Sequence, residues 1–271
     1  MSNELNAIVR NNLKEKMRGG GVASSMMVRL VRTVEIARIA KTAGFDSFYV
    51  DLEHSSITLD ACAQMCMTAL EIGIAPLVRV PAKTPEYISR VLDGGAQGII
   101  APHILSAEDA RRVVSYAKFA PLGERSANSG LPHLQYRNFP TAAANAALND
   151  ATMVVVQIET VSALDQVDAI AAVDGVDLIL VGTNDLIADM GIPGEYEHKN
   201  VRDAYERVIA ACNRHGKFAG VGGLASRPQL IADFVGMGAR YVSTGTDLSF
   251  LVAACTQRAK MVDDLAIPKP L

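Results

Sequence analysis

Eight short apolar runs, each followed by a segment of helical spacing, constrain this chain more than any other feature. The runs are Val22–Met27, Ser47–Asp51, Ala75–Arg79, Gly98–Ala101, Met153–Gln157, Leu178–Val181, Phe218–Val221 and Tyr241–Ser243. Most are apolar throughout rather than alternating in polarity, as expected of strands buried on both faces of a parallel sheet. Helix-length segments follow at Thr33–Ala43, Leu59–Ile72, Pro85–Gly94, Ala107–Phe119, Ala163–Ala172, Val201–His215, Arg227–Met237 and Leu248–Val262. Ile36, Ile39, Ala40 and Ala43 show the helical recurrence in the first of these. Several segments stop at a glycine, among them Gly44, Gly73, Gly94 and Gly238, which fits a helix cap before a buried strand. Eight βα units with right-handed crossovers close into a single (β/α)8 barrel, the TIM-barrel class of α/β fold, and 271 residues suit one such domain. An open doubly wound sheet is the alternative, but it usually has fewer strands, and no G-x-G-x-x-G follows a strand here.

Bulk properties exclude several roles. A net charge of −3 and a pI near 6.0 argue against a nucleic-acid binder. No apolar run approaches the roughly 18 residues that span a bilayer. The first residues, Met-Ser-Asn-Glu-Leu-Asn-Ala, lack a secretory pattern. Cys62, Cys66, Cys212 and Cys255 lie in helix-like segments with no zinc-ligand spacing, and Cys62 and Cys66 share a face as buried thiols would. The expectation is a soluble, cytoplasmic protein with neither nucleic-acid nor membrane partners. Gly19-Gly20-Gly21 precedes the first strand and reads as a turn at the barrel bottom. Residues 120–150, with Pro121, Gly123, Gly130, Pro132, Pro140 and an alanine-rich stretch at Ala142–Ala147, break the rhythm. So long a connection is expected to fold over the barrel mouth or to serve a subunit contact.

Two of the strands end abruptly at an acid. Val154-Val-Val-Gln-Ile-Glu159 and Leu178-Ile-Leu-Val-Gly-Thr-Asn-Asp185 place Glu159 and Asp185 at neighbouring strand ends. Two carboxylates there, with Gly182 admitting a ligand close to the backbone, make a site for a hard cation, most naturally Mg²⁺ or Mn²⁺. Catalysis in such barrels sits at the C-terminal ends of the strands. That rim also receives Asp51, Glu53 and His54 from the second strand, Arg79 from the third and Pro102-His103 from the fourth. Gln157 comes from the fifth, Gly182, Thr183 and Asn184 from the sixth, Gly222-Gly223 from the seventh and Gly245-Thr-Asp247 from the eighth. Simpler roles exist for each: Glu159 as a first-turn acid, Asp185 as an N-cap, Arg79 in a structural ion pair, His103 as a hydrogen-bonded wall. The pair of acids at adjacent strand ends favours the metal. His133, His198 and His215 read as structural.

In this order the residues resemble the HpcH/HpaI aldolase family, the class II, metal-dependent pyruvate aldolases. The resemblance runs from about Val22 to Met261. It is carried by Asp51-x-Glu-His54, Pro76-Leu-Val-Arg79, Gln157-Ile-Glu159 and Val181-Gly-x-x-Asp185-Leu-x-x-Asp189-Met-Gly191, with weaker echoes at Leu92-Asp93-x-Gly-Ala-x-Gly98 and Gly245-Thr-Asp247. It implies that Glu159 and Asp185 hold Mg²⁺, Mn²⁺ or Co²⁺, that Arg79 contacts the keto oxygen, and that His54 handles the aldol proton. Asp51, or Asp93 from the same or a neighbouring subunit, would orient His54. Gln157, Gly182 and the backbone amides near Thr183 and Asn184 would bind the substrate. It also implies a homohexamer in which the helix 248–262 packs on a neighbour. The chain departs from the family at Pro102-His103, at Gly123-Glu-Arg-Ser126 and over Ala127–Tyr136, which leaves the aldehyde open.

The implied reaction is reversible cleavage of a 4-hydroxy-2-oxo acid to pyruvate, or hydroxypyruvate, and an aldehyde. No strand-end lysine is placed to form a Schiff base, so a metal must act as the electrophile. A citrate-lyase-like thioester lyase is an alternative, but no basic cluster for a nucleotide is visible. A phosphate-binding barrel isomerase would use Gly222-Gly223 and Gly245 but would leave the two carboxylates unexplained. A non-catalytic sugar-acid-binding protein would need neither His54 nor Arg79.

Overall fold

Two short helices, α1 (Ser2–Ile8) and α2 (Asn12–Arg18), precede the first strand in the computed structural model, which describes residues 2–265. The repeat then runs β1 (Ala23–Val28), α3 (Glu35–Thr42), β2 (Ser47–Asp51), α4 (Leu59–Ile72), β3 (Ala75–Arg79), α5 (Pro85–Asp93), β4 (Gly98–Ala101) and α6 (Ala107–Ala117). The second half has α7 (Thr141–Ala151), β5 (Met153–Ile158), α8 (Val161–Asp165), α9 (Val167–Ala171), β6 (Leu178–Gly182) and α10 (Thr183–Asp189). It ends with α11 (Lys199–Arg214), β7 (Phe218–Gly222), α12 (Pro228–Met237), β8 (Tyr241–Thr246) and α13 (Asp247–Asp263). All strands pair in parallel with their sequence neighbours, and β8 closes on β1. Closure removes the doubly wound alternative.

Side chains that alternate along each strand divide into two cores. Phe48, Val50, Val78, Ile99, Val154 and Val156 point outward beneath the helices. Tyr49, Leu77, Ile100, Val155, Leu180 and Tyr241 fill the barrel interior. Leu13 and Met17 of α2 join that inner core and plug its lower end. Truncating either to alanine would cost roughly 2–5 kcal/mol, the range for a large buried apolar side chain. Gly73 caps α4 with a φ of 70°, a left-handed conformation that a Cβ would strain.

The segment 120–150 does not cover the mouth of its own barrel. α6 runs back to the N-terminal ends of the strands and β5 starts there, so both anchors lie at the bottom. The segment holds a 3₁₀ turn at Pro132–Leu134, and its alanine-rich part forms α7. Leu131, Leu134, Ala144 and Leu148 pack there against Leu5 of α1 and Val9 just past its end. Buried charges tie the same end together. Lys14 Nζ lies 2.6 Å from Asp177 Oδ1 and donates to the Asp150 carbonyl at 2.6 Å. Lys118 Nζ donates to the carbonyls of Asn149 and Thr152, and burial pushes its pKa down to about 8.

The predicted helix Ala163–Ala172 breaks at Gln166 into α8 and α9. α13 stands largely free of its own barrel. On this helix, which the resemblance implies packs on a neighbour, Leu251, Cys255 and Met261 are exposed in the isolated chain. The other three cysteines are buried and reduced. No helix among the described residues is long and apolar enough to cross a membrane.

Candidate active site

A cleft of about 260 Å³ opens at the C-terminal ends of the strands, lined by Arg29, Tyr49, His54, Arg79, Gln157 and Asp185 together with the backbone from Gly182 to Asn184. Its charged wall starts with strand register. Asp51 and Arg79 are direct cross-strand partners at the ends of β2 and β3. Asp51 is fully buried and also accepts the backbone N–H groups of Glu53 and His54, at 3.1 and 3.2 Å. Burial alone would raise its pKa. The hydrogen bonds and charge of Arg79, with those two amides, outweigh burial and hold the carboxyl below its ordinary value. Burial would likewise lower the Arg79 pKa, and its bond to Asp51 reverses the direction.

Asp51 therefore orients the backbone at His54, not the imidazole ring. That ring is over half exposed, and its Nε2 lies 3.7 Å from Glu53 Oε2. Asp93 is not brought to it within the chain. It sits at the C-terminal end of α5, which the βα alternation places at the barrel bottom, and it accepts from Arg125 Nη2 at 2.6 Å. The within-subunit form of the Asp93 expectation is corrected by that topology.

Glu53, placed at the rim by its sequence position but given no partners there, is the hub of the charged wall. Its Oε2 lies 3.2 Å from Arg79 Nη1, and its Oε1 lies 2.8 Å from His103 Nε2. The other ring nitrogen of His103 is 2.7 Å from Glu159 Oε1, and the His103 backbone N–H donates to the same oxygen at 2.6 Å. His103 adopts a left-handed φ of 54°, uncommon for a residue with a Cβ. It thus bridges the ends of β2 and β5, more than the wall expected of it.

Glu159 is buried just past the end of β5, and Gln157 Nε2 donates to its Oε2. Asp185 is exposed in the first turn of α10 and lines the cleft from β6, the neighbouring strand. A Cβ at Gly182 would come within 2.8 Å of Gln157 Nε2 and 2.9 Å of Glu159 Oε2, so only glycine leaves that approach open. Two carboxylates without thiolates suit a hard cation whose other positions are filled by water and substrate. Among the described residues no group of three or more His, Cys, Asp or Glu side chains forms a self-sufficient metal cage. Thr183 is buried, and its hydroxyl is spent on structure, donating to the Gly222 carbonyl at 2.6 Å and lying 2.7 Å from the Tyr205 hydroxyl. The amides opening α10 have no intrahelical acceptor. Asn184 Oδ1 accepts from the Tyr196 hydroxyl at 2.9 Å. No lysine lines the cleft. His133, His198 and His215 lie elsewhere: His133 on the Ala96 carbonyl, His198 capping α11, His215 beside Asp168.

Arg29 was missed. It lies one residue past β1, as Glu159 lies one residue past β5, and that offset is the signal that would find it.

The chain has counterparts among known proteins. A family model described as HpcH/HpaI aldolase/citrate lyase matches residues 25–254. The chain is 39% identical over 262 residues to a 4-hydroxy-4-methyl-2-oxoglutarate aldolase of Hapsidospora irregularis, covering 96% of this chain and 97% of that protein. It is 31% identical to the 2-keto-3-deoxy-L-rhamnonate aldolase of Escherichia coli K12, covering 95% of each. The crystal structure of an HpcH/HpaI aldolase from Desulfitobacterium hafniense DCB-2 superposes with a TM-score of 0.89 at 33% identity, over 95% of this chain and 99% of that one.

Proposed function

This chain belongs to the HpcH/HpaI aldolase/citrate lyase family, and we propose that it catalyses the metal-dependent, reversible cleavage of a 4-hydroxy-2-oxo acid to pyruvate and an aldehyde. It is a carbon–carbon lyase, a class II pyruvate aldolase. The observation that carries the residue roles is the convergence, in one lysine-free cleft, of Gln157 and Asp185 from the ends of β5 and β6 with the buried guanidinium of Arg79, while the buried Glu159 sits directly behind Gln157 as the acceptor of its amide.

Glu159 and Asp185 would hold the cation. When bound, it would supply Lewis-acid polarisation at the keto oxygen of the substrate. Arg79, itself buried, adds fixed positive charge where that oxygen gains electrons. The Thr183 and Asn184 amides receive the C1 carboxylate beside Gln157 and Gly182. His54 takes the proton of the C4 hydroxyl as the C3–C4 bond breaks and its electrons pass to the pyruvate half. It returns that proton in the direction of addition. Glu53, not Asp51, is the acid nearest the His54 ring, and Asp93 could serve only from a neighbouring subunit. We read the protein as cytoplasmic and homo-oligomeric.

The test separates the half-reactions. With Mg²⁺, Mn²⁺ or Co²⁺ supplied, the wild type should cleave a 4-hydroxy-2-oxo acid and exchange the C3 protons of pyruvate with deuterium. A chelator should abolish both. His54→Ala should lose cleavage far more than exchange. Full activity in metal-stripped protein would refute the mechanism, and equal loss of both reactions in His54→Ala would refute the division of labour.

A further inference from the structure

Arg29 lines the cleft but has no part in the chemistry above. Its backbone is firmly held. The buried carboxylate of Asp247, at the start of α13, accepts the N–H groups of Arg29, Leu30 and Val31 at 3.0, 2.9 and 2.8 Å. Three charge-assisted bonds to one acid fix the turn that leaves β1. The Gly245-Thr-Asp247 motif thereby acquires a purpose: it anchors a guanidinium over the rim.

The side chain is aimed but not consumed. Its Nη2 donates to the His54 backbone carbonyl at 2.9 Å, and its Nε lies 3.6 Å from Asp51 Oδ2. Asp51 has no need of it, being already satisfied by the fork of Arg79 and two backbone amides. The Arg29 side chain is 40% exposed and retains most of its five N–H donors. Arg79, by contrast, is buried between Asp51 and Glu53. Of the two guanidinium groups in the cleft, Arg29 is the one free to meet a new anion.

We propose that Arg29 determines specificity for the aldehyde half of the substrate, selecting a 4-hydroxy-2-oxo acid that carries a second carboxylate on C4. This inference rests on the function proposed above, which puts the C4 hydroxyl at His54. A carboxylate attached directly to C4 then falls beside the His54 backbone, where the Arg29 fork already sits. Planar, bidentate pairing with a carboxylate is the recognition that arginine performs best. The two aldolase relatives differ on this point, since one is named for a dicarboxylic acid and the other for a deoxy sugar acid. Arg29 decides for the dicarboxylate.

The experiment uses two substrates that differ only at C5: 4-hydroxy-2-oxoglutarate, with a carboxylate there, and 4-hydroxy-2-oxopentanoate, with a methyl. Both are cleaved by metal-loaded wild type, Arg29→Gln and Arg29→Lys. The wild type should favour the dicarboxylate in kcat/KM. In Arg29→Gln the ratio of the two kcat/KM values should fall roughly 10- to 100-fold, the scale of losing a hydrogen bond between charged groups, and mainly through KM. Arg29→Lys should keep part of the preference. A wild type without that preference overturns the proposal. So does an Arg29→Gln protein in which both substrates decline equally, because Arg29 then acts through His54 or Asp51. Pyruvate deuterium exchange by the wild type distinguishes the two levels. Its absence sinks the aldolase reading and this proposal with it; its presence with an unmoved ratio sinks only the role of Arg29.

Discussion

Arg79 grips Asp51 twice across the β2–β3 ladder, from Nε to Oδ1 at 2.9 Å and from Nη2 to Oδ2 at 2.8 Å. Both groups are buried, so each leaves the other uncompensated if removed. Breaking a buried pair from one side typically costs about 3–5 kcal/mol. Arg79→Ala should therefore lose stability as well as at least ~100-fold in kcat, the scale of one missing oxyanion donor. Arg79→Lys separates the effects. It keeps the charge but not the fork, and should stay folded with kcat reduced at least ~10-fold. Steady-state kinetics beside urea titrations of both variants check this. A stable Arg79→Lys protein of full activity would leave Arg79 a purely structural role.

Gly182 offers a test of the cation site that avoids its carboxylates. An alanine there would press on the far ends of Gln157 and Glu159, which can yield, and on Glu159 Cβ at 3.0 Å, which cannot yield easily. Gly182→Ala should fold but bind Mn²⁺ roughly 10- to 100-fold more weakly, as when the supports of a metal ligand are disturbed. Calorimetric titration with Mn²⁺ reads this directly, and an unchanged affinity counts against Glu159 as a ligand.

His133 should make the fold sensitive to mild acid. It is buried, its Nε2–H donates to the Ala96 carbonyl at 2.9 Å, and burial pushes the imidazole pKa down to about 4. Between the ordinary histidine pKa, about 6.5, and that value, the unfolded chain takes up a proton that the folded chain refuses. Stability must then fall as pH drops through this window, by on the order of 3 kcal/mol for this one group. His133→Gln retains a donor for Ala96 and cannot titrate. Its urea midpoint should change less than that of the wild type between pH 7 and pH 4.5, and parallel curves would rule the effect out.

α13 should bring copies of the chain together. Leu251 and Val262 are 52% and 59% exposed, with Leu248, Val252 and Met261 on the same helix also uncovered. So many uncovered large apolar side chains on one helix mark an interaction site. Light scattering should give a homohexamer at working concentration, and Leu251→Glu should yield smaller species. A monomeric wild type overturns the expectation.

Strand positions were legible because a barrel strand is buried on both sides. Ser47–Asp51, Ala75–Arg79 and Gly98–Ala101 coincide with β2, β3 and β4 to the residue. The rim acids were legible for a related reason: an apolar run that ends in Glu159 has nowhere to put that charge except at the sheet edge. Pairings between rim residues were less accessible. That Asp51 serves Arg79 rather than the His54 ring depends on a strand register that spacing does not encode. The bridge made by His103 depends on a left-handed backbone at a residue with a Cβ, which propensity argues against. Of the two roles expected of residues 120–150, only the fold over the barrel mouth is overturned, because proline and glycine announce a loop without saying at which end of the barrel it runs. The helices α1 and α2, of seven residues each, are too short to show a clear helical period, so nothing marked them ahead of the first strand.

That position of residues 120–150 has a practical meaning. The rim and the opposite end of the barrel, where this segment packs, are separated by strands of four to six residues, about 13–20 Å at ~3.3 Å per residue. Substitutions farther apart than about 7–10 Å that share no partners combine additively. Changes at Phe119, Leu134 or Leu148 should thus shift thermal tolerance by increments indifferent to which aldehyde is made, and changes at Arg29 should do the converse. A directed-evolution campaign on this protein can select at its two ends in parallel and merge the winners without rescreening every pair.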